Sequence, residues 1–188
     1  MTRRSWFWIV VVVAFIGIAA GVFLRRQGAA IPPAHDAVSK VSAGQGVSIL
    51  DPDNPCGPVA VALVGHLLGK PVSLAEARRL VPADSLGRTS AAALLEGLGA
   101  LGIPAAAVQV APEAAVKLDA PFIVFLDQSH FGVLIPAAGG EWYLADPPQP
   151  IRRPTTEELA SQWTGEAILV ARDDEHLAEN LRRLGLAP

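Results

Sequence analysis

Residues 53–68 read DNPCGPVAVALVGHLL and include Cys56, the only cysteine in the chain of 188 residues. Apolar residues recur at three- and four-residue spacing through this stretch, which predicts a helix of about three turns. Pro55 and Pro58 are compatible with the helix only in its first turn, where backbone N–H groups have no intrahelical partner. We therefore expect Cys56 at the start of this helix, with the rest of the chain arranged around it.

A cysteine in that place has a chemical and a structural interpretation. The free N–H groups and the positive end of the helix dipole favour the thiolate, which is the nucleophilic form of the side chain. A lone cysteine near a helix start is more often a packing residue, since free cysteine is among the most buried residue types. The choice between the chemical and the structural interpretation depends on residues that are far from Cys56 in the chain.

An uncharged apolar segment lies near the N-terminus. Residues 6–24 contain no charged side chain and would span about 28 Å as a helix, close to the hydrocarbon thickness of a bilayer. Two arginines bracket the segment on each side. This pattern predicts a single-pass membrane anchor in residues 1–26. The positive charge on the two sides of the segment is almost balanced, and we favour the orientation with the N-terminus inside and the domain extracytoplasmic. A cleaved signal peptide is the alternative, because residues 19–21 (AAG) resemble a small-residue cleavage site.

The remaining residues divide into a linker, one domain and a terminal helix. Residues 27–47 mix Gly, Ala, Pro and polar residues without periodicity, which indicates a linker. Residues 48–172 are long enough to bury a single core, and 51% of the whole chain is hydrophobic. Residues 173–188 contain a charged helix that Gly185 would close.

Charge and motif spacing exclude several classes of function. The formal net charge is −3, but residues 1–26 carry four Arg and no acid, so the rest of the chain has a net charge of −7. An acidic domain argues against nucleic acid binding, which relies on Lys and Arg. One cysteine allows neither an internal disulfide nor a zinc site of cysteine pairs. The spacing of Gly65, Gly69 and Lys70 does not fit a phosphate-binding loop. We expect no nucleotide, metal or other cofactor.

The order of predicted elements indicates an α+β domain, with N-terminal helices packed on an antiparallel sheet. After the Cys56 helix, capping residues and glycine stops predict helices over residues 73–80 and 90–101. Short apolar runs between Pro, Gly and Asp then predict strands. These strands cover residues 105–110, 122–126, 131–135, 142–145 and 167–171. Thr155 opens a further capped helix that ends near Trp163, and Trp142 and Trp163 are expected in the core.

Two polar residues stand at the ends of neighbouring strands. His130 begins one predicted strand and Asp146 ends the next, and a turn at residues 139–140 (GG) would join the two as a hairpin. The imidazole and the carboxylate would then be neighbours. Together with Cys56, they form the set that thiol catalysis needs: a nucleophile, a base and a residue that orients the base. The structural alternatives are a half-buried strand histidine and an aspartate that forms a turn before proline.

Six stretches also carry a resemblance to a known family, in that family's order and at similar spacing. They are Cys56-Gly57-Pro58 followed by an apolar helix, residues 69–74 (GKPVSL), Thr89-Ser90 with the helix up to Gly102, His130-Phe131, Asp146-Pro147 and Trp163-Thr164-Gly165. Over residues 48–171 the chain resembles the bacteriocin-processing, double-glycine leader peptidases, which are papain-like cysteine peptidases. It resembles the free-standing, single-anchor members, since it has one predicted membrane segment and no nucleotide-binding motif.

The resemblance implies a papain-like fold and a role for each matching residue. Cys56 would be the nucleophile, His130 the general acid and base, and Asp146 the residue that orients His130. The substrate would be a peptide or protein, cleaved after a Gly-Gly type of site. The family usually carries a Gln six positions before the nucleophile, whose amide helps to bind the oxyanion. Here that position is Leu50.

Asn54 is the nearest residue with a suitable amide, and its alternative role is the helix N-cap. Two other functions stay open at this point. Leu50 favours a catalytically impaired module that binds peptides without cutting them. The same three residues could also transfer the acyl group to an amine, as a transpeptidase or acyltransferase does.

Overall fold

The computed structural model describes residues 55–137 and 140–186. Three helices come first, and five strands with two further helices and a 3-10 helix follow. The helices are α1 (Cys56–Leu67), α2 (Leu74–Leu80), α3 (Ala91–Ala100), α4 (Thr156–Gln162) and α5 (Asp174–Arg183). The strands are β1 (Ala105–Gln109), β2 (Phe122–Leu126), β3 (His130–Pro136), β4 (Trp142–Ala145) and β5 (Trp163–Val170), and the 3-10 helix spans Pro112–Lys117.

Helix α1 is the central element of the helical layer. Its N-cap is Pro55, whose extended backbone (ψ 130°) leads into the helix, and Pro58 lies in the first turn as the spacing predicts. Almost every residue from Gly57 to Leu67 is buried. Helix α1 packs against β3 on one side and against α2 and α3 on the other, so its position relative to the sheet is determined from both sides.

Local capping explains where the other helices begin. The hydroxyl groups of Ser73, Ser90 and Thr155 each accept a hydrogen bond from a backbone N–H in the first turn of α2, α3 and α4. Thr155 and Glu158 form a complete capping box. Asp173 caps α5 in the same way. These caps confirm the predicted helix starts, because each satisfies N–H groups that the helix itself leaves unpaired.

The five strands form one antiparallel sheet in the order β1-β5-β2-β3-β4. Alternate residues of β2 face opposite sides, as strand geometry requires. Phe122 and Val124 belong to a core with Trp163 and the 3-10 helix, against which Leu177 and Leu181 of α5 pack. The other side of the sheet carries α1. The predicted α+β architecture is therefore confirmed, and Trp142 and Trp163 lie in the core.

Two features differ from the sequence prediction. Strand β5 begins at Trp163, four residues before the predicted start at residue 167, because residues 163–166 alternate between buried and exposed rather than forming an apolar run. The 3-10 helix was not predicted.

No helix in residues 55–137 and 140–186 has the length and apolar character needed to cross a membrane. The predicted anchor, linker and domain start at residue 48 lie outside the described residues.

Candidate active site

The β3–β4 hairpin brings His130 and Asp146 together. Val133 pairs with Ala145 across the two strands, so the first residue of β3 and the residue after β4 lie at the same end. The Nε2 atom of His130 lies 2.8 Å from Oδ1 of Asp146. The Asp146 side chain is 11% exposed and the His130 side chain 31%. The predicted proximity is confirmed, and the imidazole keeps an accessible edge while the carboxylate is nearly buried.

The chain after Asp146 is held in place by backbone hydrogen bonds. Gln149 N–H donates to the carbonyl of Asp146 across 3.0 Å, which closes a turn. Arg152 then pairs with Leu144 of β4 as an isolated antiparallel bridge. The guanidinium of Arg152 donates to the side chain of Gln162, at the end of α4, across 2.8 Å. The loop that carries the carboxylate is thus tied to the sheet and to a helix.

The second nitrogen of the imidazole also has a partner. Ser129 Oγ lies 3.0 Å from Nδ1 of His130. The sequence alone did not assign a role to Ser129. The one available signal was a hydroxyl residue directly before the histidine. That signal is weak, because only the shape of the turn decides where the hydroxyl points.

Cys56 is the first residue of α1 and is a free, half-buried cysteine. Because α1 packs on β3, the helix that begins with the thiol lies against the strand that begins with the imidazole. No side chain caps the N-terminus of α1, and Pro58 has no N–H. The backbone N–H groups of Cys56 and Gly57 are therefore the first-turn donors that Pro58 leaves available. They could face an anion bound at this end of the helix.

The structure tests only one of the two interpretations of Asn54, the helix N-cap. The N-cap of α1 is Pro55, so the alternative interpretation of Asn54 as the N-cap is wrong. The reason is that Pro55 itself has the extended backbone of a cap, which moves the helix start one residue along. Asn54 and Leu50 lie outside the described residues. The catalytic roles of Cys56, His130 and Asp146 stay predictions.

Thr89 closes the space next to Gly57. A Cβ atom built on Gly57 would lie 2.5 Å from both Oγ1 and Cγ2 of Thr89, which is closer than real side-chain contacts allow. The Thr89 hydroxyl is buried, and no hydrogen-bond partner is found for it within the described part of the chain. The residue after Cys56 must therefore be glycine as long as Thr89 is present.

The loop before α3 carries Thr89 to this position. The Asp84 carboxylate accepts hydrogen bonds from the backbone N–H of Leu86 (2.8 Å) and of Arg88 (2.9 Å), which folds the loop on itself. The N–H of Arg88 is the main cause that lowers the pKa of Asp84, although burial acts in the opposite direction. The hydrogen bonds that fold the loop therefore favour the ionised form of Asp84.

Two cavities share Thr89, Ser90 and Phe125 in their walls, and we call the two together the cleft. The first has a volume of about 560 Å³ and a largely apolar wall on the sheet, including Ile123, Phe125, Phe131 and Ile168. The second, of about 640 Å³, is more polar and includes Asp84, Arg88, Gln128 and Ser129. Phe131 lines the first cavity and Ser129 lines the second, and these two residues flank His130 in the chain. Within residues 55–137 and 140–186, no cluster of three His, Cys, Asp or Glu residues could hold a metal ion.

Comparison with known proteins places the chain in a family. The model of the peptidase C39 family matches residues 51–175. The chain is 30% identical over 128 residues to the colicin V secretion/processing ATP-binding protein CvaB of Escherichia coli. This match covers 68% of the present chain but only 18% of CvaB, so the chain corresponds to a small part of that protein.

Two solved structures are similar in both sequence and fold. A double glycine motif protease from an AMS/PCAT transporter, in complex with the leader peptide, is 25% identical with a TM-score of 0.58, covering 64% of this chain and 86% of that one. The peptidase domain of Streptococcus ComA, a bifunctional ABC transporter involved in quorum sensing, is 26% identical with a TM-score of 0.56, covering 64% and 93%. The resemblance to double-glycine peptidases that the sequence indicates is confirmed.

Proposed function

The chain belongs to the peptidase C39 family, and we propose that it is a cysteine peptidase that cuts peptide bonds with Cys56, His130 and Asp146. One observation carries this proposal. The imidazole of His130 is 2.8 Å from a nearly buried carboxylate, at the end of the strand on which the Cys56 helix packs. A base that is oriented in this way, together with a thiol at a helix start, is the set of groups that nucleophilic catalysis requires.

Each residue has a distinct part in the reaction. Asp146 accepts from Nε2–H of His130, so the unprotonated nitrogen Nδ1 is the one that takes the proton from Cys56 Sγ. The thiolate attacks the peptide carbonyl carbon, and the tetrahedral intermediate collapses when Nδ1–H gives its proton to the leaving amine. A water molecule then attacks the resulting thioester and gives its proton to Nδ1. The second tetrahedral intermediate expels the Cys56 thiolate, the acid product leaves, and the proton on Nδ1 returns to Sγ.

The negative charge on the tetrahedral oxygen needs hydrogen-bond donors. The backbone N–H of Cys56 is one, because it lies in the uncapped first turn of α1. We assign the second donor to the side-chain amide of Asn54, which is close in sequence and is not the N-cap. This assignment compensates for Leu50 at the position where the family usually carries Gln.

The cleft suggests the kind of peptide that is bound. Its apolar part, with Phe125, Phe131 and Ile168, suits apolar side chains of an extended or helical segment. Near Cys56, Thr89 fills the space over Gly57, which favours residues without side chains beside the scissile bond. We therefore propose substrates with an apolar segment before a Gly-Gly site, in line with the leader peptide bound by the double glycine motif protease.

We further propose that residues 1–26 anchor the protein in a membrane and that residues 27–47 connect the anchor to an extracytoplasmic domain. The support is the uncharged segment of residues 6–24 with arginines on both sides. In this arrangement the peptidase would act on peptides close to the membrane surface.

A binding module is the second candidate function, and Leu50 is the residue that favours it. A site without the usual amide donor can lose about a hundred- to a thousandfold in rate and still bind peptides in the same cleft. Such a module would have no need for the hydrogen bond between His130 and Asp146, because that bond acts on the proton rather than on the peptide.

Peptide cleavage by the full chain distinguishes the two candidates. Two synthetic peptides are compared, one with an apolar segment before Gly-Gly and one with Ala-Ala in its place. Cleavage after Gly-Gly that disappears in Cys56→Ala, while the variant still binds the peptide, is the expected result. Binding without cleavage by the unmodified protein would reject the peptidase in favour of the binding module.

A further inference from the structure

His130 has a hydrogen-bond partner on each ring nitrogen, and the proposed function uses only one of these two partners, Asp146. Nε2 contacts Asp146, whereas Nδ1 lies 3.0 Å from the hydroxyl of Ser129. Nδ1 is also the nitrogen that has to take the proton from Cys56. A hydroxyl group within hydrogen-bond distance of this nitrogen therefore affects the proton transfer directly.

The donor and acceptor roles follow from the chemistry of the three groups. An ionised carboxylate only accepts hydrogen bonds, so the neutral imidazole carries its proton on Nε2. Nδ1 then has a lone pair, and the hydroxyl of Ser129 must donate to it. Ser129 thereby favours the same tautomer as Asp146, from the opposite side of the ring.

The hydroxyl also has a partner for the protonated state of the ring. Ser129 Oγ lies 3.5 Å from the carbonyl oxygen of Leu126, at the long limit of a hydrogen bond. When Nδ1 gains the thiol proton, Ser129 can rotate its own proton toward Leu126 and accept from Nδ1–H. The proton that Sγ loses is the one that Nδ1 gains. The proton of Ser129 only changes direction and stays on its oxygen.

The turn between β2 and β3 holds Ser129 in this position. Asp127 and Gln128 have φ values of 50° and 52°, a region that residues other than glycine rarely adopt. The N–H of Ser129 donates to the carbonyl of Leu126 (2.9 Å), and the N–H of Asp127 donates to the carbonyl of Gln162 (2.7 Å). Such conformations persist where the surrounding structure imposes them, and they concentrate at functional sites.

We propose that Ser129 is a positioning residue for His130. Its hydroxyl orients the imidazole in both protonation states, because it donates to Nδ1 when the ring is neutral and accepts from Nδ1–H when the ring is protonated. This role rests on the proposed function, since it matters only if His130 accepts the Cys56 proton. Gln162 supports it indirectly, because its backbone carbonyl holds Asp127 and its side chain binds Arg152 beyond Asp146.

The test combines the rate of thiol labelling with NMR of the His130 ring. Ser129→Ala and Ser129→Thr are made in the full chain, with Ser161→Ala as the matched control. Ser161 is an exposed serine whose hydroxyl donates to a backbone carbonyl across 2.7 Å, and it belongs to α4 rather than to the turn. The rate of Cys56 labelling by a thiol-directed electrophile is measured. The ¹⁵N signals of His130 are recorded in the Cys56→Ala background.

We expect Ser129→Ala to slow labelling about three- to tenfold, the range for one lost hydrogen bond, and Ser129→Thr to restore it. In Cys56→Ala, the further change Ser129→Ala should shift the Nδ1 signal as its hydrogen bond is lost. Ser161→Ala should change neither measurement. An unchanged Nδ1 signal, or unchanged labelling, in the Ser129→Ala proteins would overturn the proposal. The ring signals do not depend on catalysis, so they still decide the role of Ser129 if no peptide is cleaved.

Discussion

Thr89 lies over Gly57 so closely that a single added methyl group on Gly57 would meet its Oγ1 and Cγ2 atoms at 2.5 Å. The two residues are far apart in the chain, and Gly57 directly follows Cys56. Their contact links the loop before α3 to the first turn of α1. The position of the thiol therefore depends on a residue outside its own helix.

Gly57→Ala should destabilise the domain by about 1–3 kcal/mol, the usual range for overpacking a buried site. Adding Thr89→Ala should recover part of this loss, because it removes the two closest atoms. Urea unfolding of the single and double variants measures the coupling. Gly99→Ala is the matched control, since a Cβ on that helical glycine meets no atom within 4 Å. Equal destabilisation by Gly57→Ala with and without Thr89 would contradict the contact.

Asp146→Asn should lower peptide turnover by on the order of a hundredfold or more, because an amide can present the wrong hydrogen-bonding group to Nε2 and change the tautomer. The chain offers a matched control in a second pair of the same type. His176 Nε2 lies 2.9 Å from Oδ1 of Asp119, on the α5 side of the domain. Asp119→Asn should leave turnover per folded molecule unchanged. A similar loss in both variants would show that the Asp146 effect is structural.

Phe125→Ala should raise the KM for an apolar peptide about tenfold, because it removes an aromatic wall of the cleft. Labelling of Cys56 by a small electrophile should stay the same, since the small molecule makes no use of that wall. Leu86→Ala, at a side chain that is 71% exposed and outside the lining of either cavity, is the control. A loss of kcat without a change in KM would mean that Phe125 acts on the catalytic residues instead.

Asp119 should make the stability of the domain depend on pH in acid. Burial raises the pKa of this carboxyl, but hydrogen bonds from His176 and Arg183 outweigh it and hold the pKa below 3.8. A lowered pKa means that the ionised form stabilises the folded state above pH 3.8, and that this contribution disappears as the pH falls through the folded value.

Urea unfolding at neutral pH and at about pH 3 tests this dependence. The unmodified chain should be more stable than Asp119→Asn at neutral pH, and the difference should shrink as the carboxyl becomes protonated. A stability difference that is the same at both pH values would show that the ionisation of Asp119 does not contribute to the stability of the fold.

Much of the fold follows from the sequence because its signals are local. A helix start depends on a capping side chain and on N–H groups within three residues, and Ser73 and Thr155 cap their helices as predicted. The proximity of His130 and Asp146 was also predictable, since both belong to one hairpin with a short turn. Strand β5 was predicted only in part, because its first half has one exposed side and lacks an apolar run.

The sequence by itself determined most of the helices and strands, the α+β class, and the three residues of the candidate triad. Only the tertiary structure decided that β5 lies between β1 and β2, that Thr89 covers Gly57, and that Ser129 contacts Nδ1 of His130. The physical reason is that periodicity and capping act between residues close in the chain. Strand order and side-chain contacts depend instead on packing between distant segments, and the direction of the Ser129 hydroxyl depends on two unusual backbone angles that no local residue preference indicates.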